Sequence, residues 1–181
     1  MKHKGVATLG GGCFWCLEAI YQRLNGVVST ISGYSGGTTD NPTTEEVYVG
    51  NTGHAEVIQV TFDPDKLTYR ELLEIFFVMH DPTTLNRQGN DVGDEYRSVI
   101  FYHDEEQKQI AEDMKTNFAH NLWSDPVITQ VVQFEKFWPA GKEHQNFYNN
   151  NPGVGYCQIV INPKVQKLRQ KFAEKLKPAK I

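Results

Sequence analysis

The sequence predicts an α/β fold of two layers: a mixed β-sheet with helices packed on it. Three observations carry this. Strand-like and helix-like patterns alternate along all 181 residues. The links between them include hairpin lengths and crossover lengths. No internal repeat or low-complexity stretch divides the chain, and its length suits one domain with a sizeable core. Strand order is not readable at this level.

The elements follow in order. Val6 to Leu9 is a short apolar strand that runs into Gly10-Gly11-Gly12-Cys13-Phe14-Trp15-Cys16. Leu17, Ile20, Tyr21 and Leu24 then recur at helical spacing, and Asn25-Gly26 closes that helix. Val27 to Tyr34 reads as a strand, and Thr38 to Asn51 as a polar surface loop. Ala55 to Phe62 alternates, with Glu56, Ile58, Val60 and Phe62 on one face. Thr68-Tyr69-Arg70-Glu71 is a capping box opening a helix to about Met79, which His80-Asp81-Pro82 ends. A polar loop from Leu85 to Glu95 leads to a strand from Tyr96 to His103. Asp104 caps a helix to about Leu122, and Val127 to Phe134 is again strand-like. Residues 137–160 form a long wrapping segment with a short helix near Lys142 to Tyr148. Ile159-Val160-Ile161 is an apolar run, and Asn162-Pro163 starts a terminal helix, with proline at its first position.

Composition excludes several classes of function. A net charge of −4 and a pI near 5.9 argue against nucleic-acid binding. No apolar run is long enough to span a membrane. The basic start, Met1-Lys2-His3-Lys4-Gly5, precedes only four apolar residues, too few for a signal peptide. Three cysteines do not make a secreted disulfide framework. The expected setting is reducing and cytoplasmic. Histidines lack metal-ligand spacing, Cys13 and Cys16 lack a second Cys-x-x-Cys, and the glycines lack a following Lys-Ser/Thr. Neither a metal site nor a phosphate loop is expected.

Cys13 is the candidate nucleophile. It sits where a glycine loop feeds a helix, and the unpaired N–H groups and dipole there favour a thiolate. Phe14 and Trp15 follow it, and Cys16 lies one turn on. The commoner fate of a cysteine is to pack as a small hydrophobe. Glu56 has two readings as well: a rim charge turned to water, or a carboxyl in an apolar site whose pKa is raised so that it donates a proton near neutrality. His144 offers a partner for Cys13 as in cysteine hydrolases, with nothing local to support it.

These residues carry a family resemblance. Gly12-Cys13-Phe14-Trp15 with Glu18, Gly33-Tyr34-Ser35-Gly36-Gly37, Gly53-His54-Ala55-Glu56 and His80-Asp81-Pro82 resemble the motifs of the class A methionine sulfoxide reductases. Arg87-Gln88-Gly89-Asn90-Asp91, Tyr96-Arg97-Ser98, Asn151-Pro152 and Gly155-Tyr156-Cys157 continue the match in order. The resemblance implies a ferredoxin-like core and a single catalytic domain over residues 1–181. It implies reduction of the S-epimer of methionine sulfoxide, free or in oxidised proteins, as a repair activity against oxidative stress. No bound cofactor is implied. Cys13 would attack the sulfoxide sulfur and become a sulfenic acid. A second cysteine would form a disulfide, which thioredoxin, the external reductant, reduces. Glu56 matches the proton donor, Asp91 and Tyr96 match polar binding groups, and Phe14 and Trp15 match the pocket for the S-methyl group. The protein is expected to act as a monomer.

Two departures stand out. Thr44 occupies the place where the family often has tyrosine, which leaves Glu56 and Tyr96 with more of the proton transfer. Cys157 matches the resolving cysteine, with none beyond it. Cys16 is an alternative resolver, and a relay through both is a third arrangement. Outside the family, Cys-x-x-Cys also admits another thiol oxidoreductase, a peroxidase, or a non-enzymatic redox sensor.

Overall fold

The computed structural model describes residues 3–178, so Met1 and Lys2 of the basic start lie outside the described residues. The chain runs through β1 (Gly5–Gly10), α1 (Phe14–Tyr21), β2 (Val27–Ser35), α2 (Thr44–Val49), β3 (Ala55–Phe62) and α3 (Tyr69–Met79). A small hairpin, β4 (Arg87–Gln88) and β5 (Asp91–Val92), leads to a 3₁₀ turn at Asp94–Tyr96 and to β6 (Val99–Tyr102). Then come α4 (Glu105–Asp113), widened turns at Met114–Ala119, α5 (His120–Leu122), β7 (Gln130–Gln133), β8 (Trp138–Pro139), α6 (Phe147–Asn150) and α7 (Asn162–Lys171).

Six strands form one sheet in the order β7-β6-β1-β3-β2-β8. All neighbours are antiparallel except β6 and β7, which are parallel. The inner four, β6-β1-β3-β2, with α1 after β1 and α3 after β3, make the ferredoxin-like core that the resemblance implies. Alternation along β3 divides the sheet into two faces. Ala55 and Val57 join Val99 and Phe101 in a small cluster on one side. Ile58, Val60 and Phe62 join α1, α3 and α7 in the main core on the other. Glu56 shares the helix-covered face. Leu9 and Leu72 are wholly enclosed there, and truncating either to alanine costs about 2–5 kcal/mol.

The structure departs from the sequence reading in four places. Helix α1 ends at Tyr21, so Asn25-Gly26 does not close it, and Leu24 instead forms an isolated bridge with Leu176. The polar loop contains α2, opened by a capping box between Thr43 and Glu46 and closed by left-handed Gly50. The strand expected from Tyr96 begins only at Val99, because Tyr96 ends a 3₁₀ turn. The wrapping segment expected to run to residue 160 ends in a helix: the helical path begins at residue 155, takes in Ile159-Val160-Ile161 and continues into α7. Pro163 lacks an N–H and crowds the carbonyl four residues back. The helix accommodates it by widening over Cys157–Ile161.

Residues 137–150 wrap the outer edge of β2, which β8 pairs over Gly33 and Tyr34. Gln145 clamps this edge by accepting from the Ser32 N–H at 2.9 Å and donating to the Ser32 and Ala140 carbonyls at 2.8 and 3.0 Å. The clamp holds the segment against α1, where Glu18 accepts from the Asn146 N–H at 3.0 Å.

Candidate active site

Cys13 stands at the N-cap of α1, with φ −59° and ψ 128°. Its carbonyl accepts from the Cys16 N–H at 3.1 Å, while its side chain makes no capping bond. The thiol is therefore left for other work. The turn that delivers it requires Gly12, which has φ +93° and whose missing Cβ would lie 2.6 Å from Gln88 Cγ. Cys13 is only 8% exposed.

Glu56 enters from the helix-covered face of β3 and is wholly buried. Its Oε2 accepts from the Phe14 N–H, a first-turn amide of α1, at 3.0 Å. Its Oε1 has no hydrogen-bond partner. Burial pushes the carboxyl up to about 8, helped by the charges of Glu95 and Asp91 and opposed by the Phe14 amide and the nearby Tyr48 phenol. The Tyr48 hydroxyl lies alongside the carboxyl without closing a hydrogen bond to Oε1. At neutral pH Glu56 is thus an acid. With Oε2 occupied as an acceptor, Oε1 is the natural seat of the proton. Of its two sequence readings, the geometry selects the buried carboxyl over the rim charge.

The thiols correct one expectation. Cys13 is not depressed at rest. Burial raises it well above the usual thiol range, and its hydrogen bond to Cys16 and the charge of Glu56 add to this. Desolvation outweighs the helix end. Cys16 is the more acidic partner, drawn down to about 6 by the Cys13 thiol first, then by Lys164 and the Tyr156 hydroxyl, against burial. Its Sγ is 3.6 Å from Tyr156 Oη, which donates to Asp91 Oδ2 at 2.7 Å. Cys157 is enclosed in the widened helical turn and raised by burial, then by the charge of Cys16. The end of the wrapping segment that carries Cys157 is thus a packed helix.

The aromatic residues divide between wall and support. Trp15 is partly exposed, stacked on Phe147 at 3.6 Å with 4° between the rings. Phe14 is fully enclosed against Tyr34 and His144, so it props the site and does not line it in this conformation. Tyr96 is half-buried, and its phenol is raised by burial, then by Glu56 and Cys13, which puts it beside both. His144 is excluded as a base for Cys13. The Trp15 indole N–H can only donate, and it reaches His144 Nδ1 at 3.2 Å. The neutral ring therefore carries its hydrogen on Nε2 and donates to Thr44 Oγ1 at 3.1 Å. Thr44 continues to Tyr34 Oη at 3.0 Å. Thr44 is thus a bridge.

The sequence reading gave no role to Tyr48, Tyr156 or this bridge. The spacing Thr44-x-x-x-Tyr48 is the one signal that was available, once α2 is known to be a helix. Among the described residues no group of three or more His, Cys, Asp or Glu is arranged to hold a metal ion. The assembled groups are two adjacent thiols, a neutral carboxyl with a free oxygen, and phenols around them. Such a set can pass electrons from a thiol to an oxygenated atom and protonate the oxygen.

Comparison with known proteins agrees with this chemistry. The family model described as "Peptide methionine sulfoxide reductase" matches residues 5–176. The peptide methionine sulfoxide reductase MsrA of Sulfolobus acidocaldarius is 58% identical over 170 residues, covering 94% of this chain and 96% of that protein. The reduced form of Mxr1 from Saccharomyces cerevisiae superposes with a TM-score of 0.78 at 33% identity, over 85% of this chain and 89% of that one. Mxr1 in complex with Trx2 matches with a TM-score of 0.55 at 26% identity, over 80% of this chain and 84% of that one.

Proposed function

Because the chain belongs to the peptide methionine sulfoxide reductase family, we propose that its thiol-dependent reduction of methionine sulfoxide runs through Cys13 as nucleophile, Glu56 as acid and Cys16 as first resolving thiol. The observation that carries this reading is the buried carboxyl of Glu56, anchored by the amide next to Cys13 and unpaired at Oε1.

Cys13 Sγ forms a bond to the sulfoxide sulfur. The thiol proton that Cys13 releases restores the one that Glu56 gives up in the same step. Glu56 gives its proton to the sulfoxide oxygen. The oxygen ends on Cys13 as a sulfenic acid and methionine leaves. The substrate sulfur has gained two electrons and Cys13 has lost them. Cys16 then displaces water from the sulfenic acid and a Cys13–Cys16 disulfide forms. Cys157, the electrostatic neighbour of Cys16, takes the disulfide outward by thiol exchange. Thioredoxin reduces it, as the match to a relative in complex with Trx2 supports. The reaction suits a monomer in the reducing cytoplasm.

Three fixed points select the S-epimer: the line of attack from Cys13, the acid at Glu56, and Trp15 for the methyl group. Asp91 and Tyr96 hold the polar end of the substrate. The reduced protein is mixed with each epimer and assayed for methionine formed and thiols lost in one turnover. About one methionine per protein from the S-epimer alone, with two thiols lost, is expected. No methionine from either epimer would overturn the assignment, and catalytic peroxide consumption instead would favour a peroxidase.

A further inference from the structure

The short helix α2 ends against the turn that carries Tyr96: a Cβ on Gly50 would lie 3.9 Å from Asp94 Oδ1. Tyr48 lies one helical turn after Thr44 on the same face of α2, and Thr44 bonds Tyr34, the cross-strand partner of Glu56. The same groups, Glu56 and Cys13, act on the phenols of Tyr48 and Tyr96, and these two phenols act on each other. Thr44 lies one turn earlier, and its hydroxyl is spent between His144 and Tyr34. No hydroxyl closes on Glu56 Oε1.

We propose that Tyr48 is a catalytic residue, whose hydroxyl donates to the sulfoxide oxygen and holds it against Glu56 Oε1. This rests on the reading of Cys13 and Glu56 above, and it assigns the oxygen two phenols, Tyr48 and Tyr96. It adds Tyr48 to Glu56 and Tyr96, to which the threonine at position 44 leaves more of the proton transfer. Tyr48 is 47% exposed, so α2 brings it to the surface beside the site. As the sulfur–oxygen bond breaks, charge collects on oxygen. A second fixed donor there stabilises the developing charge more than the ground state. The phenol keeps its own proton, because burial and the charges of Glu56 and Cys13 oppose its loss. The proton that is transferred is that of Glu56.

The groups facing Glu56 are Cys13 from the N-cap of α1, Tyr34 from β2, Tyr48 from α2, Asp91 from β5, and Glu95 and Tyr96 from the 3₁₀ turn. Of these, the Tyr48 phenol favours the ionised carboxyl. Its removal has two separable effects. The test is single-turnover methionine formation from the S-epimer, from neutral to alkaline pH, for wild type, Tyr48→Phe and Val49→Ala, alongside thermal unfolding. Tyr48→Phe is expected to slow the step roughly tenfold or more. It should also move the alkaline limb to higher pH, a shift that a purely structural role would not cause. Val49→Ala, at an exposed neighbour on the same helix, should match wild type. A Tyr48→Phe rate within about twofold of wild type with an unmoved limb would overturn the proposal. Cys13→Ser and Glu56→Gln are run beside it. If they are inactive while Tyr48→Phe is normal, Tyr48 alone is wrongly assigned. If Cys13→Ser still forms methionine, the underlying reading falls with it.

Discussion

Glu56 is an ordinary carboxyl in an apolar enclosure, one oxygen held by the Phe14 amide and the other free. Its folded value of about 8 lies above its ordinary 4.5. Folding therefore favours the protonated form. The stability this contributes is fully present below the ordinary value. It is lost as pH rises towards and through the folded one, because the unfolded chain ionises first. Across that window the loss is on the order of a few kcal/mol. Glu56→Gln keeps the shape and removes the titration. It should unfold at a higher temperature than wild type in mildly alkaline buffer, with the gap closing in acid, while single-turnover activity falls about 10²–10⁴-fold. A gap that does not change with pH would mean Glu56 does not titrate in this range. Cys13 and Glu56 were legible in the sequence because each is announced locally, by a glycine turn into a helix and by alternation on a strand. The acidity order of the thiols was not legible, since it depends on how deeply Cys13 is buried and on what faces Cys16.

Among the elements, α2 and the Cys157 helix carry the strongest consequences. Six residues are too few to hold a helix alone, so α2 depends on its capping box. Thr43→Ala removes that cap at a cost of about 1 kcal/mol. It should also slow methionine formation, because Tyr48 loses its fixed position; an unchanged rate in a folded variant would separate α2 from the chemistry. Helix α2 was hidden in the sequence by the glycine, proline and threonine around it, although Thr43-x-x-Glu46 was there to be read. The strands β2 and β3 and the helix α3 were legible almost to the residue, as their periodicity and the Thr68 box are strong. The helix around Cys157 was hidden because the asparagines, prolines and glycines before it read as a wrapping segment. This matters for resolution: a thiol packed in a helix waits for its partner to arrive. Cys157→Ser should therefore still release about one methionine and form a Cys13–Cys16 disulfide, but recycle slowly with thioredoxin. Mapping the disulfide peptides decides this, and a Cys157→Ser protein left with a sulfenic acid and no disulfide would assign resolution to Cys157.

At the scale of the molecule, a ferredoxin-like sheet presents the end of β1 and the start of β3 to one helix end. The wrapping segment then closes that end. Its contacts span long sequence distances, such as Thr44 to His144 and Ser32 to Gln145, which is why no local pattern announced them. Gln145 replaces a strand's hydrogen bonds on the β2 edge. Gln145→Ala leaves the Ser32 N–H and the Ala140 carbonyl without their partner, while the Ser32 carbonyl keeps the Ala140 N–H, at a cost of about 1–3 kcal/mol. Loosening this segment should also free Trp15 from His144 and Phe147. The expected result is a lower unfolding midpoint and a raised KM with kcat less affected, read by steady-state kinetics. A lowered midpoint with unchanged KM would confine the clamp to stability.

The most direct test of the account is to trap the first intermediate. The Cys16→Ser/Cys157→Ser protein retains only Cys13. It is given methionine S-sulfoxide with a sulfenic-acid trap such as dimedone, then digested and analysed by mass spectrometry. The account predicts about one methionine released per protein and the adduct on Cys13. Methionine released with Cys13 unmodified, or no methionine from a folded protein, would contradict it.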